Sequence, residues 1–139
     1  DSMAAEKNFE NRVKRYLQSV GIYPLGCAAD RVTIQPIGYY EKRWGGGYSK
    51  AGLPDLHIVC NAISLDVELK APTGRQSDLQ KHTISQINHA GSIGIILWPD
   101  GFDEFQQIME GVIECSSHIP ALNALKRVHG NTKCSMWTG

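Results

Sequence analysis

The chain has little of what marks membrane proteins, secreted scaffolds or zinc proteins. No stretch approaches the roughly 20 apolar residues of a membrane-spanning helix. The sequence has only four cysteines, far apart and without a CxxC pair, so neither a zinc site of close ligand pairs nor a disulfide framework is indicated. We therefore expect an intracellular, cytoplasmic protein with reduced thiols at Cys27, Cys60, Cys115 and Cys134.

The chain also lacks a charge excess of either sign. Fourteen basic residues balance 14 acidic ones, which argues against simple nucleic-acid binding, since that usually shows as a basic surplus. Eleven of the basic residues nevertheless fall before residue 82. With 139 residues, 42% of them hydrophobic, we expect a single domain over residues 1–139. Asp1 and Ser2, which precede Met3, are expected to lie outside the native domain, and residues 130–139 are an unassigned tail.

Hydrophobic periodicity predicts the elements in chain order. Apolar residues at helical spacing predict a helix over residues 4–20, ended by Gly21. A strand is predicted over 31–37, where Pro36 favours an edge position, and a loop over 39–52.

Residues 55–70 then predict an antiparallel hairpin, since apolar and polar residues alternate on both sides of a short link. Ser77 and Gln80 form a capping-box pattern before a helix that Gly91 ends. A buried strand over 93–98, a helix over 102–112 and a last helix over 120–128 follow. The α-β-β-β-α-β-α order predicts an α/β domain with a mixed sheet flanked by helices.

The hairpin carries the residues with the clearest chemistry. Glu68 and Lys70 share one strand face, and the hairpin returns Asp55 toward Glu68, although the sequence does not fix the register. Two close carboxylates favour Mg²⁺ or Mn²⁺, and a neighbouring lysine can orient water or stabilise charge on a phosphate. The alternative interpretation is an ordinary strand whose polar residues face solvent.

The motifs around this hairpin resemble a known family. G-L-P-D-L at residues 52–56, D-V-E-L-K at 66–70 and K-A-P-T-G-R-Q-S-D-L-Q at 70–80 are similar to the PD-(D/E)xK nucleases. The closer resemblance is to the VRR-NUC branch, including its stand-alone phage and bacterial members, and it covers about residues 50–105. It implies a restriction-endonuclease-like fold and Mg²⁺- or Mn²⁺-dependent hydrolysis of DNA phosphodiester bonds.

The resemblance also implies roles for individual residues. Asp55 and Glu68 would be metal-binding carboxylates, with the backbone carbonyl of Leu69 as a further ligand, and Lys70 would be the catalytic lysine. Gln80 would belong to the active site, the alternative being that its side chain serves only the capping box. The family's helix-1 glutamate, catalytic and metal-binding, fits Glu10 best, with Glu6 as the rival.

Nucleic-acid contacts are predicted mainly from the segment before the hairpin. Its charges suit phosphates and its rings can stack on bases, although its aromatics can equally pack on the core. The predicted contact residues are Lys42, Arg43, Trp44, Tyr48, Lys50 and, after the hairpin, Arg75. His57, on the same strand face as Asp55, is either near the metal or an ordinary hydrogen-bonded histidine.

Stand-alone family members resemble Holliday-junction resolvases, so the specific hypothesis is a homodimer that cuts branched DNA, with no membrane partner. The alternatives are a monomeric nicking or flap nuclease, an enzyme acting on another phosphate ester, and a non-catalytic nucleic-acid- or protein-binding module of the same fold.

Overall fold

Helix α1, Ser2–Ser19, opens the chain in the computed structural model, which describes residues 1–43 and 52–115. The carboxylate of Asp1 accepts hydrogen bonds from the backbone N–H groups of Met3 and Ala4 and so caps the start of the helix. The helix predicted over residues 4–20 is confirmed. Its buried stripe includes Phe9, Val13 and Leu17, at the spacing that places side chains on one helix face.

Two short parallel strands follow, β1 (Ile22–Pro24) and β2 (Gly38–Lys42). The strand predicted over 31–37 is wrong. The Tyr23 hydroxyl accepts hydrogen bonds from the backbone N–H groups of Thr33 and Ile34, both at 3.1 Å. These donors are therefore satisfied by a side chain rather than by a neighbouring strand. The sequence also missed β1, a three-residue strand too short to show a period.

The loop predicted over residues 39–52 is wrong at its start, because residues 39–42 belong to β2. Tyr40 pairs with Ile58 in the antiparallel register and is buried, so the aromatic residues that suggested an irregular loop suit a strand instead. Residues 44–51 lie outside the described ranges, and Gly52 lies in a turn with a φ of +83°.

Strands β3 (Leu56–Cys60) and β4 (Ile63–Leu69) form the predicted antiparallel hairpin. Asn61 and Ala62 connect them, both with positive φ (53° and 62°), which is the backbone of a type I′ turn. The Asn61 amide nitrogen donates to the carbonyl oxygens of Val112 and Ile113, at 2.9 and 2.7 Å. The tip of the hairpin is thereby tied to the end of the last described helix.

Helix α2 (Asp78–His89), strand β5 (Ile93–Leu97) and helix α3 (Phe102–Glu114) complete the described fold. The sheet has five strands in the order β1-β2-β3-β4-β5, with β5 parallel to β4. A Cβ added at Gly94 would lie 3.1 Å from the Ile84 carbonyl oxygen, so α2 packs closely over β5. Ile93 and Ile95, which alternate with Gly94, pack against the core that α1 and α3 cover. Helices therefore flank both faces of a mixed sheet.

The predicted α/β class with a mixed sheet is confirmed, although its observed order has one strand more than expected. The core joins the inner face of the hairpin to α1 and α3, and burying each of its large apolar side chains contributes about 1.5–3 kcal/mol. In the described ranges, no helix is both long and apolar enough to cross a membrane. Within the described ranges Cys27 and Cys115 are free thiols, while Cys134 and the helix predicted over 120–128 lie outside the described residues.

Candidate active site

The register of the hairpin brings the predicted carboxylates together. Leu56 pairs with Val67, and continuing that pairing by one residue sets Asp55 opposite Glu68. Asp55 Oδ2 accepts a hydrogen bond of 2.7 Å from the backbone N–H of Leu69, which anchors its carboxylate at the end of β4. Lys70 follows directly, and its backbone N–H donates to the Leu97 carbonyl on β5. Three candidate side chains thus meet where β4 ends.

Glu68 is not a solvated strand residue, because it is only 5% exposed. Its Oε1 lies 2.9 Å from the Gln80 amide nitrogen and 3.8 Å from Lys70 Nζ. Its Oε2 is buried and has no hydrogen-bond partner among the described residues. Burial, followed by the negative charge of Asp55 and opposed by Lys70, raises the pKa of Glu68 to about 7. Lys70 offsets this burial only in part, so a proton or a further cation would stabilise the Glu68 carboxylate.

Gln80 serves the helix and the site together. Its Oε1 accepts from the Ser77 backbone N–H at 2.8 Å and from Lys70 Nζ at 2.9 Å, while its Nε2 donates to Glu68. Ser77 Oγ in turn accepts from the Gln80 N–H, which completes a capping box. One side chain makes the capping box and the contacts to Lys70 and Glu68 together, because a carbonyl oxygen has two lone pairs and the amide nitrogen remains available.

Helix α1 presents both of its candidate glutamates to this region. Glu10 is buried and forms ion pairs with Lys7, Lys14 and Lys42. Burial alone would raise its pKa, but hydrogen bonds from the three lysines outweigh burial and lower the pKa of Glu10 to about 2. Lys42 Nζ is also 4.0 Å from Asp55 Oδ1 and so connects Glu10 to the hairpin.

The negative charge of Glu6 also acts on the candidate site. It is one of the causes that raise the pKa of Glu68. Glu6 therefore stays beside Glu10 as a candidate for the helix-1 role.

A second charged group, missed by the sequence reasoning, holds the start of the hairpin in place. Asp66 is buried, and its Oδ1 lies 2.8 Å from Arg43 Nη1 and 2.9 Å from His57 Nδ1. Arg43 Nη1 also donates to the Pro54 carbonyl, and the Arg43 N–H donates to the Asp55 carbonyl at 2.7 Å. The available signal was the pairing of His57 with Asp66, which depends on the register.

The predicted nucleic-acid contacts fall into three groups. Lys42 and Arg43 have internal ion-pair partners, at Glu10 and Asp66 respectively. Arg75 is exposed between β4 and α2. The other predicted contacts lie outside the described residues, namely Trp44, Tyr48 and Lys50.

The carboxylate pair supplies part of what a metal ion requires. Among residues 1–43 and 52–115, no group of three or more histidine, cysteine or acidic side chains is arranged to hold a metal ion. Mg²⁺, however, is commonly bound by one or two carboxylates, with water and substrate phosphates filling the other positions. Asp55 and Glu68 supply two carboxylates, one of which has an unpartnered buried oxygen. The donor set therefore fits a hydrated hard cation and does not form a closed cage.

Comparisons with family models, with curated proteins and with solved structures find no match for this chain.

Proposed function

We propose that the protein is a divalent-metal-dependent nuclease that hydrolyses DNA phosphodiester bonds at Asp55, Glu68 and Lys70. The observation that carries this proposal is the buried Glu68 carboxylate, whose Oε2 has no partner among the described residues although Asp55 lies opposite in the register. A buried carboxylate oxygen without a partner is costly, and a bound cation would supply that partner. The resemblance of residues 52–80 to VRR-NUC nucleases supports the same assignment.

Asp55 and Glu68 would hold Mg²⁺ or Mn²⁺, with the Leu69 carbonyl as a predicted further ligand. The bound ion would polarise a phosphoryl oxygen and make hydroxide available near neutral pH. The Leu69 N–H fixes Asp55, so that this carboxylate is positioned before any ligand arrives.

Lys70 places a positive charge beside the carboxylate pair. Its side chain is only 13% exposed and is held by Gln80 at 2.9 Å. An ammonium group fixed in this way can stabilise charge that develops on a phosphate oxygen, or orient the attacking water. Gln80 bridges Lys70 and Glu68, so it holds the ammonium group and the carboxylate in one relative position.

A cleavage assay tests the proposal. Linear, supercoiled and four-way-junction DNA are incubated with wild-type protein and Mn²⁺, and in parallel with EDTA. We expect cleavage only with metal, and a loss of about 100-fold or more for Lys70→Ala. Lys81→Ala is the matched control, since Lys81 is an exposed lysine on α2 outside these contacts. If wild-type protein with Mn²⁺ cuts none of the three DNAs, the nuclease proposal is wrong, and a small phosphodiester substrate then tests for another phosphate esterase.

The finer proposal is a homodimer that resolves branched DNA. Light scattering, which gives the oligomeric state, and the four-way-junction assay together test this proposal. Symmetric cleavage by a dimer supports it. A monomer that nicks DNA or removes flaps supports the alternative nuclease. Metal binding without cleavage, measured by calorimetry on wild-type protein and Glu68→Gln, identifies a non-catalytic module.

A further inference from the structure

The backbone of Asp55 is held by contacts outside the strand ladders. Both ladders of β3 begin at Leu56, so Asp55 lies just before the paired part of the strand. The Arg43 backbone N–H donates to the Asp55 carbonyl at 2.7 Å, and Arg43 Nη1 donates to the Pro54 carbonyl at 3.3 Å. These two carbonyl groups flank the Cα of Asp55. Arg43 therefore holds the peptide groups on both sides of a proposed metal ligand.

Asp66 fixes the guanidinium group of Arg43. Its Oδ1 lies 2.8 Å from Arg43 Nη1, the same nitrogen that donates to Pro54. The Asp66 side chain is only 10% exposed, and His57 Nδ1, at 2.9 Å from the same oxygen, holds it from the neighbouring strand. A charge-assisted hydrogen bond of this kind is roughly twice as strong as one between neutral groups. The position of Asp66 thus determines where Arg43 reaches the Pro54 carbonyl.

The position of the Asp55 backbone matters because metal ligation tolerates little displacement. Mg²⁺ demands oxygen ligands at about 2.0–2.1 Å in near-octahedral geometry. The Leu69 N–H holds one carboxylate oxygen of Asp55, whereas the Cα that carries this side chain is held through Arg43. A shift of that backbone would move the carboxylate relative to Glu68. Outer contacts that orient metal ligands typically change metal affinity about 10- to 100-fold when they are lost.

We infer that Arg43 and Asp66 are positioning residues that set the affinity of the site for its metal ion through the backbone of Asp55. The inference rests on the proposed function, since it takes Asp55 as a metal ligand. It also changes the role of Arg43, which the sequence predicted to contact DNA. Arg43 Nη1 carries two hydrogens, and both are donated within the protein, to Asp66 and Pro54, so this nitrogen is not available to a phosphate.

Calorimetry with Mn²⁺ alone tests the inference without DNA. The main variant is the double substitution Arg43→Met/Asp66→Asn, which removes the contact to the Pro54 carbonyl without leaving a buried charge unpaired. It also leaves the net charge of the protein unchanged, which limits electrostatic effects on a cation. We expect the Kd for Mn²⁺ to rise about 10-fold.

Two further variants show what causes the change. Asp66→Asn alone keeps an oxygen that can accept from Arg43, so its Kd for Mn²⁺ should stay within about threefold of wild type. Arg31→Met/Asp30→Asn is the matched control, because it makes the same two substitutions at exposed residues outside these contacts. Urea unfolding confirms that every variant is folded at the temperature of the titration. If the Arg43→Met/Asp66→Asn variant binds Mn²⁺ as tightly as the control does, the inference is overturned.

Cleavage kinetics distinguish positioning from DNA contact. In the Arg43→Met/Asp66→Asn variant, the Mn²⁺ concentration for half-maximal cleavage should rise about 10-fold, while KM for DNA at saturating Mn²⁺ stays within about twofold of wild type. A higher KM for DNA with an unchanged Kd for Mn²⁺ identifies Arg43 as a DNA contact and contradicts the inference.

The same measurements separate this inference from the nuclease proposal. If wild-type protein cuts DNA with Mn²⁺ and the Arg43→Met/Asp66→Asn variant binds Mn²⁺ like the control, the positioning role is wrong and the nuclease stands. If that variant binds Mn²⁺ more weakly but wild-type protein cuts none of the three DNAs, the nuclease is wrong and the positioning role stands. Wild-type protein that neither binds Mn²⁺ nor cuts DNA overturns both.

Discussion

Replacing Gln80 by alanine removes three side-chain hydrogen bonds, to the Ser77 N–H, Lys70 Nζ and Glu68 Oε1, at 2.8, 2.9 and 2.9 Å. The first stabilises the start of α2, and the other two hold charged groups of the candidate site. A neutral hydrogen bond contributes about 1 kcal/mol and one to a charged group about 1.5–3 kcal/mol. Because these contacts are only partly buried, we expect Gln80→Ala to lower the free energy of unfolding by about 2–4 kcal/mol.

Activity should fall for a separate reason. Without Gln80, the ammonium group of Lys70 and the carboxylate of Glu68 lose the amide that fixes their relative position. Residues that orient metal ligands typically change activity or metal affinity by about 10- to 100-fold when removed. We therefore expect kcat/KM for DNA cleavage with Mn²⁺ to fall by about that factor, measured well below the midpoint of thermal unfolding.

Ser77→Ala separates the two effects. It removes the hydroxyl that accepts from the Gln80 N–H, while the Ser77 backbone N–H still reaches Gln80 Oε1. We expect it to cost about 1 kcal/mol in urea unfolding and to leave kcat/KM within about twofold of wild type. Equal activity of Gln80→Ala and Ser77→Ala would refute the assignment of Gln80 to the site and leave it only a capping residue.

Three further predictions concern stability in EDTA, each measured by urea unfolding. Burial raises the folded-state pKa of Glu68 to about 7 from 4.5. The contribution of Glu68 to the free energy of unfolding is therefore fully present below about pH 4.5 and is lost as pH rises through about 7. Glu68→Gln should flatten this pH dependence. Gly52→Ala should lower the free energy of unfolding more than Gly91→Ala, for which we expect a loss of about 1 kcal/mol. Both glycines have a positive φ, but only a Cβ at Gly52 would meet a neighbouring side chain, at 2.6 Å from Leu79 Cγ. Ala62→Gly should stabilise by about 0.5–1 kcal/mol, because Ala62 has a φ of 62°; an unchanged midpoint would contradict this strain.

The hairpin and the α2 helix were predictable because their signals are local. Alternation along residues 55–70 and the capping box at Ser77 need no information from the rest of the chain. The irregular segment over 31–37 was not predictable in this way, because the backbone N–H groups of Thr33 and Ile34 donate to the hydroxyl of Tyr23. A side chain that replaces a neighbouring strand leaves no period in the sequence.

The candidate site likewise has features that the sequence predicts and features that it does not. The sequence indicated Asp55, Glu68 and Lys70 by type and spacing, but it could not show that Glu68 is buried with one oxygen unpartnered. Burial of Glu68 and Asp66 depends on α2 and on the segment that carries Arg43, both of which pack against the strand from elsewhere in the chain. The partners of Glu10 likewise come partly from β2, through Lys42.

The Asn61–Ala62 turn fixes the strand register for a site at the other end of the hairpin. A two-residue turn allows a single pairing of β3 with β4, and the hydrogen bonds from Asn61 to the end of α3 hold that turn in place. One inserted residue there would shift the strands by one position and set Asp55 opposite an apolar side chain of β4. The relative position of the Asp55 and Glu68 carboxylates is therefore set by the turn residues at the opposite end of the strands, which contact neither carboxylate.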